Sequence, residues 1–461
     1  MDKFCLKLKG ENKNMVKIGF SKTDLEAALT PVKPIRERIE SVALYIESPE
    51  SRALWIALDF MDFNRRVTDT LKSAVAELTG LDESHIHILT THNHGGGNPD
   101  LELLSVIVAK GALRAVRNAK SALMRYVFTR VDKQVNILRR IYIPELSGVA
   151  TLYFGACEKN GFESALFAEN AIAMAREGKE CNYIGETFVK SRGKFAEGDT
   201  ELVALEFAEP DGTPIGSVVR FAAHAVCANR PDSYSSDYPY HVRRTMEERF
   251  GGVSMFLNGP CAEIAPVMSD KFEGREKLLG EYLANTALAS LSSREFMPLT
   301  AFFDRKEEIK LPVRREILEN RVDGIENLEM PETLPERRRY FEKKRLSKTL
   351  PFLQEKYSRG EAEPSDEISV FIGLLVLNNV CFLAFPGETF YATGKAVKDL
   401  HSDLEICTVT EHERTVMYIP PKEDFALGGY ESVCKVTSPD SEYILRAQSA
   451  AIIDKYKEKI K

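Results

Sequence analysis

Residues 86–98, IHILTTHNHGGGN, join an apolar strand to a glycine-rich turn and carry two histidines where the strand ends. His92 and His94 are two residues apart, so their side chains point to the same side of an extended chain. The three glycines that follow let the backbone turn sharply and come close to a ligand. This arrangement is typical of hydrolases that hold a divalent metal ion, and a purely structural role for the pair is the alternative.

Composition and charge limit the functional class. The chain has 461 residues, 44% of them hydrophobic, so it can bury a large core. Its net charge is −7 with both signs interspersed, which argues against nucleic-acid binding. The N-terminal residues lack the apolar core of a signal peptide, and the longest apolar stretch, 368–386, is broken by the turn dipeptide Asn378-Asn379. We therefore predict a cytoplasmic globular protein without a transmembrane segment; the oligomeric state is left open.

Alternating strand and helix patterns predict the fold class. Apolar runs bounded by turn residues indicate strands, and apolar residues at a spacing of three to four indicate helices. The predicted strands are Ser41–Glu47, Ala53–Phe60, Ser84–Thr91, Leu202–Ala208, Ser217–Ala223, Val253–Leu257, Phe371–Leu377, Val380–Phe385 and Glu405–Val409, and the predicted helices are Arg66–Gly80, Leu101 to about Arg125, Tyr240–Phe250 and Glu442–Lys457. These elements predict an α/β fold with a layered, mixed β-sheet core and flanking helices.

The segment from about 306 to 366 differs in composition from the rest of the chain. It is dense in charged residues and carries several prolines. A basic run of this kind is usually a solvated helix face, so we interpret the segment as a charged helical insertion on the surface. No internal repeat is visible, and residues 1–461 are expected to form one catalytic domain.

Two further side chains follow apolar strands. His224 ends the run Val218–Ala223, and Glu388 follows the buried strand at 380–385 after a Pro-Gly break. A histidine satisfied within the core and an acid at a helix N-terminus are the alternative interpretations. Ligand sites in layered α/β sheets gather beyond the carboxyl ends of strands, which is where His92, His224 and Glu388 all lie. Two imidazoles and a carboxylate are a sufficient ligand set for catalytic zinc.

Five short elements, in the same order, make the chain similar to the catalytic domain of the neutral ceramidase family. Its members carry T-H-T-H-S, a histidine with a downstream S-x-D, G-D-x-S-P, P-G-E and Y-x-T-x-x-E-E-Y…R-Y-E. The corresponding elements here are Thr91–Gly95, Phe221–His224 with Ser235–Pro239, Phe256–Pro266, Pro386–Glu388, and Tyr418–Glu423 with Gly429–Glu431. The resemblance covers nearly the whole chain.

The resemblance implies a metal-dependent hydrolase of an amide bond. It implies one zinc ion, or another divalent metal, held by His92, His224, Glu388 and Tyr418. It places His94 and Tyr430 at the reacting centre, where Tyr430 could donate a hydrogen bond to a tetrahedral oxyanion. The expected substrate contacts are Gly95, Gly96, Asn98 and Asp237. A metal-activated water would be the nucleophile.

The chain also departs from the family pattern. Ala265 stands at the position of the family's serine, and Glu263 at that of its aspartate. The family's arginine near the substrate amide has no counterpart in the corresponding region, 155–160, and the family's C-terminal immunoglobulin-like domain is not matched. We therefore expect a small-molecule or lipid-like amide, or an ester, other than ceramide. A true lipid amidase and a non-catalytic metal- or ligand-binding relative are the alternatives.

Overall fold

The computed structural model describes residues 15–132, 135–143, 147–151, 198–228, 232–266, 274–314, 332–358 and 366–460. Within these ranges three principal sheets follow one another along the chain, and each is built on four long strands. We call them sheets 1, 2 and 3 in chain order.

Sheet 1 is formed by the first third of the chain. Its elements are β1 (Lys17–Asp24), β2 (Glu40–Glu47), β3 (Arg52–Leu58), α1 (Arg65–Thr79), β4 (Ile86–Thr90) and α2 (Leu101–Arg117). The side chain of Asn64 accepts a hydrogen bond from Val67 N and so caps the start of α1. Gly80, with a φ of 71°, ends that helix in the left-handed conformation that glycine adopts at low cost. Asp100 caps α2 in the same way as Asn64 caps α1.

Sheet 2 follows, and sheet 3 completes the chain. Sheet 2 comprises β5 (Leu123–Arg130), β6 (Glu201–Ala208), β7 (Pro214–Phe221), α3 (Asp237–Arg249), β8 (Val253–Asn258) and α4 (Arg275–Leu291). Sheet 3 comprises β9 (Phe302–Pro312), α5 (Glu336–Ser358), β10 (Glu367–Leu377), β11 (Val380–Ala384), α6 (Tyr391–Leu400) and β12 (Glu405–Val409), and α7 (Ser441–Ile460) follows it. The hairpins β6–β7 and β10–β11 are formed by strands that the sequence predicts at 202–208 and 217–223, and at 371–377 and 380–385.

Shorter pieces connect these elements. The short strands are Leu29–Thr30, Asn98–Pro99, Lys120–Ser121, Asn136–Leu138, Arg140–Ile143, Gly148–Thr151, Ile264–Pro266, Met297–Pro298, Glu388–Thr389 and Tyr418–Ile419. The short helices are Glu26–Ala28, Glu83–His85, Lys422–Ala426 and Tyr430–Val433. Several of these pieces surround the candidate site.

The three sheets share one topology. In each, the strands lie side by side in chain order, the first two pairings are antiparallel, and the last pairing is parallel across a helix. The register also repeats, because the last residues of the third and fourth strands pair as Leu58 with Thr90, Phe221 with Asn258, and Ala384 with Val409. Each sheet therefore presents two strand ends at one edge. This structural repeat was not visible in the sequence.

The sheets pack around a common apolar core. One cluster of buried residues draws side chains from all three, including Phe20 and Trp55 of sheet 1, Phe207 of sheet 2 and Phe382 of sheet 3. Separate apolar clusters join each sheet to the helices on its other face. This arrangement confirms the predicted α/β fold with a mixed-sheet core and flanking helices. Within the described residues, the helices include none with the length and apolar character needed to cross a bilayer.

Two predicted boundaries are wrong. The helix predicted from Leu101 to about Arg125 ends at Arg117, and β5 begins at Leu123. The aromatic and β-branched residues of β5 favour a strand once they can pair with β6. The charged segment does not begin as a helical insertion, because β9 runs to Pro312 and pairs with β10. Later in that segment, α5 buries Leu346, Leu350 and Leu353 in the apolar cluster of sheet 3, so it does not simply lie on the surface.

The burial of α5 is tested by Leu350→Ala. Leu350 is fully buried, so we expect the free energy of unfolding to fall by about 2–5 kcal/mol, as for other buried leucines. Leu400→Ala is the control, since Leu400 is 67% exposed. Chemical denaturation of both variants measures the difference. Equal, small losses would show that α5 does not belong to the core.

Candidate metal centre

Each sheet contributes one polar side chain to a common point. His92 lies two residues beyond β4, His224 three residues beyond β7, and Glu388 four residues beyond β11. The Nε2 atoms of His92 and His224 each lie 3.2 Å from Glu388 Oε2. His94 joins them, with its Nε2 atom 3.4 Å from His92 Nε2. The structure thus brings together three predicted ligands and one residue predicted at the reacting centre.

Main-chain carbonyls fix the orientation of two of the imidazoles. His92 Nδ1 lies 3.0 Å from Met61 O, and His224 Nδ1 lies 3.0 Å from Ile264 O. A carbonyl oxygen only accepts hydrogen bonds, so each Nδ1 carries the proton and donates it. In the neutral rings, each Nε2 lone pair then faces the carboxylate of Glu388. A metal-binding histidine usually has this arrangement, with one nitrogen donating to the protein and the other free to coordinate.

The imidazoles and carboxylates of this site lie close together and are almost completely buried, so their charges influence one another strongly. Burial opposes the charged form of His92, but the carboxylates of Glu388 and Glu411 outweigh it and raise the pKa of His92 to about 9. Burial and the nearby guanidinium of Arg139 lower the pKa of His224 to about 4. Desolvation and the two neighbouring imidazoles hold the pKa of His94 well below its usual value. The two carboxylates thus favour positive charge at His92, whereas burial and neighbouring positive groups oppose it at His94 and His224.

The donor set fits a divalent cation. The ligand atoms of His92, His94 and His224 all lie within 4.8 Å of one another, and the same holds for His92, Glu388 and Glu411. Imidazole nitrogens and carboxylate oxygens are the ligands that zinc takes at catalytic sites. A cation at this point would satisfy lone pairs that otherwise face each other in a buried space.

Tyr418 and Tyr430 lie beside this cluster. Glu388 and Tyr418 are register partners in two short parallel strands, so their backbones are adjacent. Burial and the carboxylate of Glu388 raise the pKa of Tyr418 well above its usual value. The ring of Tyr430 packs edge-on against that of Tyr418, with 5.5 Å between the centroids. The two tyrosines that the resemblance implies are therefore in contact in the fold.

Arg139 is a residue of the site that the sequence analysis missed. Its Nη2 donates to Tyr418 Oη at 3.1 Å, and its Nε donates to Glu431 Oε1 at 2.9 Å. Arg140 and Thr151 donate to the other oxygen of Glu431, so this carboxylate is fully engaged. The region at 155–160, where a counterpart of the family's arginine was sought, lies outside the described residues. The only local indication of a buried arginine was its partner Glu431, which directly follows Tyr430 in the sequence.

The glycines of the turn are packed against backbone. A Cβ atom on Gly95 would lie 2.4 Å from Ser235 O, and one on Gly96 would lie 2.2 Å from Asp59 O. Glycine is therefore required there for close packing, whether or not a substrate also contacts the turn. Asn98 is exposed and lies in a short strand paired with Leu29–Thr30. The substrate contacts predicted for these residues remain predictions.

Asp237 supports the loop that follows His224. Its carboxylate accepts hydrogen bonds from Ala228 N at 2.5 Å and from Tyr238 N at 2.7 Å. Burial raises the pKa of Asp237 to about 7. Both oxygens are used within the chain itself, so the geometry favours a structural role over the predicted substrate contact.

Comparison with known proteins identifies the fold. The structure is similar to that of neutral ceramidase from Pseudomonas aeruginosa, with 13% sequence identity, a TM-score of 0.65, and coverage of 96% of this chain and 75% of that chain. It is equally similar to a ceramidase complexed with C2, with 14% identity, a TM-score of 0.65, and coverage of 96% and 76%. No protein-family model and no curated protein matches the sequence. The chain therefore has a ceramidase-like fold, as its motifs predicted.

The structural importance of Arg139 is tested by Arg139→Gln. We expect the free energy of unfolding to fall by about 3 kcal/mol, at the low end for a broken buried ion pair, since Glu431 keeps Arg140. The control is Arg244→Gln, which breaks an exposed pair with Glu248 and should cost less than about 1 kcal/mol. Denaturant titration measures both. Similar values for the two variants would contradict the importance of the buried pair.

Proposed function

We propose that this protein is a metal-dependent hydrolase of an amide or ester bond, with zinc as the first candidate metal. The observation that carries the proposal is the convergence of His92, His224 and Glu388, one from each sheet, with both imidazoles turned inward by carbonyl partners. The fold of neutral ceramidases, which are named for hydrolysis of an N-acyl amide, supports the reaction class.

The proposed ligands are His92, His224, Glu388 and Tyr418. Tyr418 is included because its strand pairs in register with that of Glu388 and because Arg139 can balance the charge of its oxygen. His94 is assigned to the reacting centre. Its Nε2 atom lies 3.4 Å from His92 Nε2, and an imidazole at this position could accept a proton from the attacking water.

A bound zinc ion would supply Lewis acidity and an activated water at neutral pH. The chain's own groups would orient the reaction. Tyr430, which packs against Tyr418, would donate a hydrogen bond to the carbonyl oxygen as negative charge develops there. Ala265 has no hydroxyl, so in this proposal no side chain at that position attacks the substrate.

The proposed substrate is a small-molecule or lipid-like amide or ester other than ceramide. The replacement of the family's serine by Ala265 motivates this choice. The same replacement favours the second candidate, a metal- or ligand-binding relative without catalysis. A screen of model amides, esters and N-acyl lipids, with and without a chelator, distinguishes these candidate functions. Hydrolysis of N-acyl lipids alone would identify a lipid amidase, and metal binding without any hydrolysis would favour the second candidate.

His224→Ala tests the metal site. We expect the purified variant to lose most of the zinc that the natural chain retains, because the change removes an imidazole turned towards Glu388. Elemental analysis after reconstitution with zinc measures this. His241→Ala is the control, since His241 faces Glu37 rather than the cluster. Full zinc occupancy in His224→Ala would show that the ligand set is misassigned.

Tyr430→Phe tests the proposed oxyanion donor. If hydrolysis is found, kcat should fall about 10²–10³-fold, as when an oxyanion donor is removed, while metal content stays unchanged. Tyr443→Phe is a matched control, since Tyr443 is 67% exposed. An unchanged kcat in Tyr430→Phe would show that Tyr430 is not the oxyanion donor, and it would leave the proposed metal ligands unaffected.

A further inference from the structure

The segment that follows β12 lies against the strand ends that carry the candidate ligands. Glu411 O accepts from Thr90 N at 3.2 Å, and Glu411 N donates to Gly387 O at 3.3 Å. The hydroxyl of Thr410 also donates to Gly387 O, at 2.5 Å. Glu411 is therefore tied through its backbone to the residue two before His92 and to the residue before Glu388.

Glu411 occupies the position in sheet 3 that His92 occupies in sheet 1. Each lies two residues beyond the last paired residue of the fourth strand, Val409 and Thr90 respectively. Both adopt the left-handed conformation, with φ values of 58° and 56°. This conformation is unfavourable for side chains of their size and persists only where the surroundings enforce it. In sheet 2 the same position is Pro260, whose ring excludes a positive φ.

The side chain of Glu411 faces the far side of the His92 ring. Its Oε1 lies 3.6 Å from His92 Nδ1, and the side chains of both residues are only 1% exposed. The opposite nitrogen, Nε2, is the one that faces Glu388 and His94. The Nδ1 proton is donated to Met61 O, so at 3.6 Å the carboxylate acts on the ring through its charge, and a negative charge on this side makes the imidazole a stronger ligand.

We propose that Glu411 is a positioning residue of the metal centre, whose buried negative charge beside Nδ1 strengthens the binding of a cation by the His92 imidazole. The inference rests on the proposed function, because it requires that His92 bind the metal through Nε2. It adds an outer carboxylate that the family-like motifs do not include.

The test compares Glu411→Gln with the natural chain in zinc affinity. The substitution keeps the size of the side chain and removes its charge. We expect the dissociation constant for Zn²⁺, measured by competition with a chelating dye, to rise about 10–100-fold, the usual effect of losing such an outer partner. The absorption spectrum of the Co²⁺-loaded protein should keep its overall shape, because the inner ligands stay the same.

Glu206→Gln is the matched control. Glu206 is fully buried and paired with Arg125, away from the cluster, so its loss should not change zinc affinity. Thermal unfolding of both metal-free variants separates a general loss of stability from an effect on metal binding. Equal zinc affinities for Glu411→Gln and the natural chain, or equal losses in both variants, would overturn the inference.

Two further outcomes are decisive. If X-ray absorption of the zinc-loaded protein shows that an oxygen ligand is lost in Glu411→Gln, then Glu411 binds the ion directly and the outer position is wrong. If the natural chain binds neither Zn²⁺ nor Co²⁺, the proposed function itself fails. Should Glu411→Gln not fold, Glu411→Asp withdraws the carboxylate by one methylene, and unchanged zinc affinity in that variant would overturn the inference.

Discussion

The structure depends on three acceptor groups that are held together where water is scarce. The Nε2 atoms of His92 and His224 each lie 3.2 Å from Glu388 Oε2. Each imidazole is turned inward because its other nitrogen donates to a main-chain carbonyl. Lone pairs that face each other in a buried space are costly unless a proton or a cation lies between them. The left-handed backbone conformation at His92 is also unfavourable, and the surrounding structure holds it in place.

The repeated sheet topology explains how distant segments reach one point. A parallel pair brings the carboxyl ends of two strands to the same edge, and three sheets around a common core bring three such edges together. One candidate ligand then comes from each sheet. The repeat is invisible in the sequence because the sheets share a pattern of strand order and register rather than residues. Apolar residues that alternate along a strand satisfy that pattern in many ways.

Much of the fold could be predicted because its signals are local. The neighbouring strands β6 and β7, and β10 and β11, follow from apolar runs bounded by turn residues, and His92, His224 and Glu388 stand out because each follows an apolar run. β5 and β9 were missed because their strand character depends on pairing with β6 and β10. Arg139 was missed for a similar reason. Its partners, Tyr418 and Glu431, lie almost 300 residues away in the sequence.

Glu411 shows a different limit of sequence reasoning. The residues around it, Thr408 to Thr415, contain neither glycine nor proline, so no local signal indicates a left-handed backbone. The conformation comes from tertiary hydrogen bonds to Thr90 and Gly387. Strain that the surrounding structure imposes can be recognised only once that structure is known.

The absence of a hydroxyl at Ala265 leaves the geometry of the cluster intact. Ala265 lies in the short strand Ile264–Pro266, which pairs with Asn136–Leu138 directly before Arg139. The carbonyl of Ile264 orients His224 whether the next residue is serine or alanine. The backbone of this strand thus orients His224, and within the strand only the side chain of Ala265 differs from the family pattern. In the proposed hydrolase, the nucleophile is therefore an activated water rather than a hydroxyl at position 265.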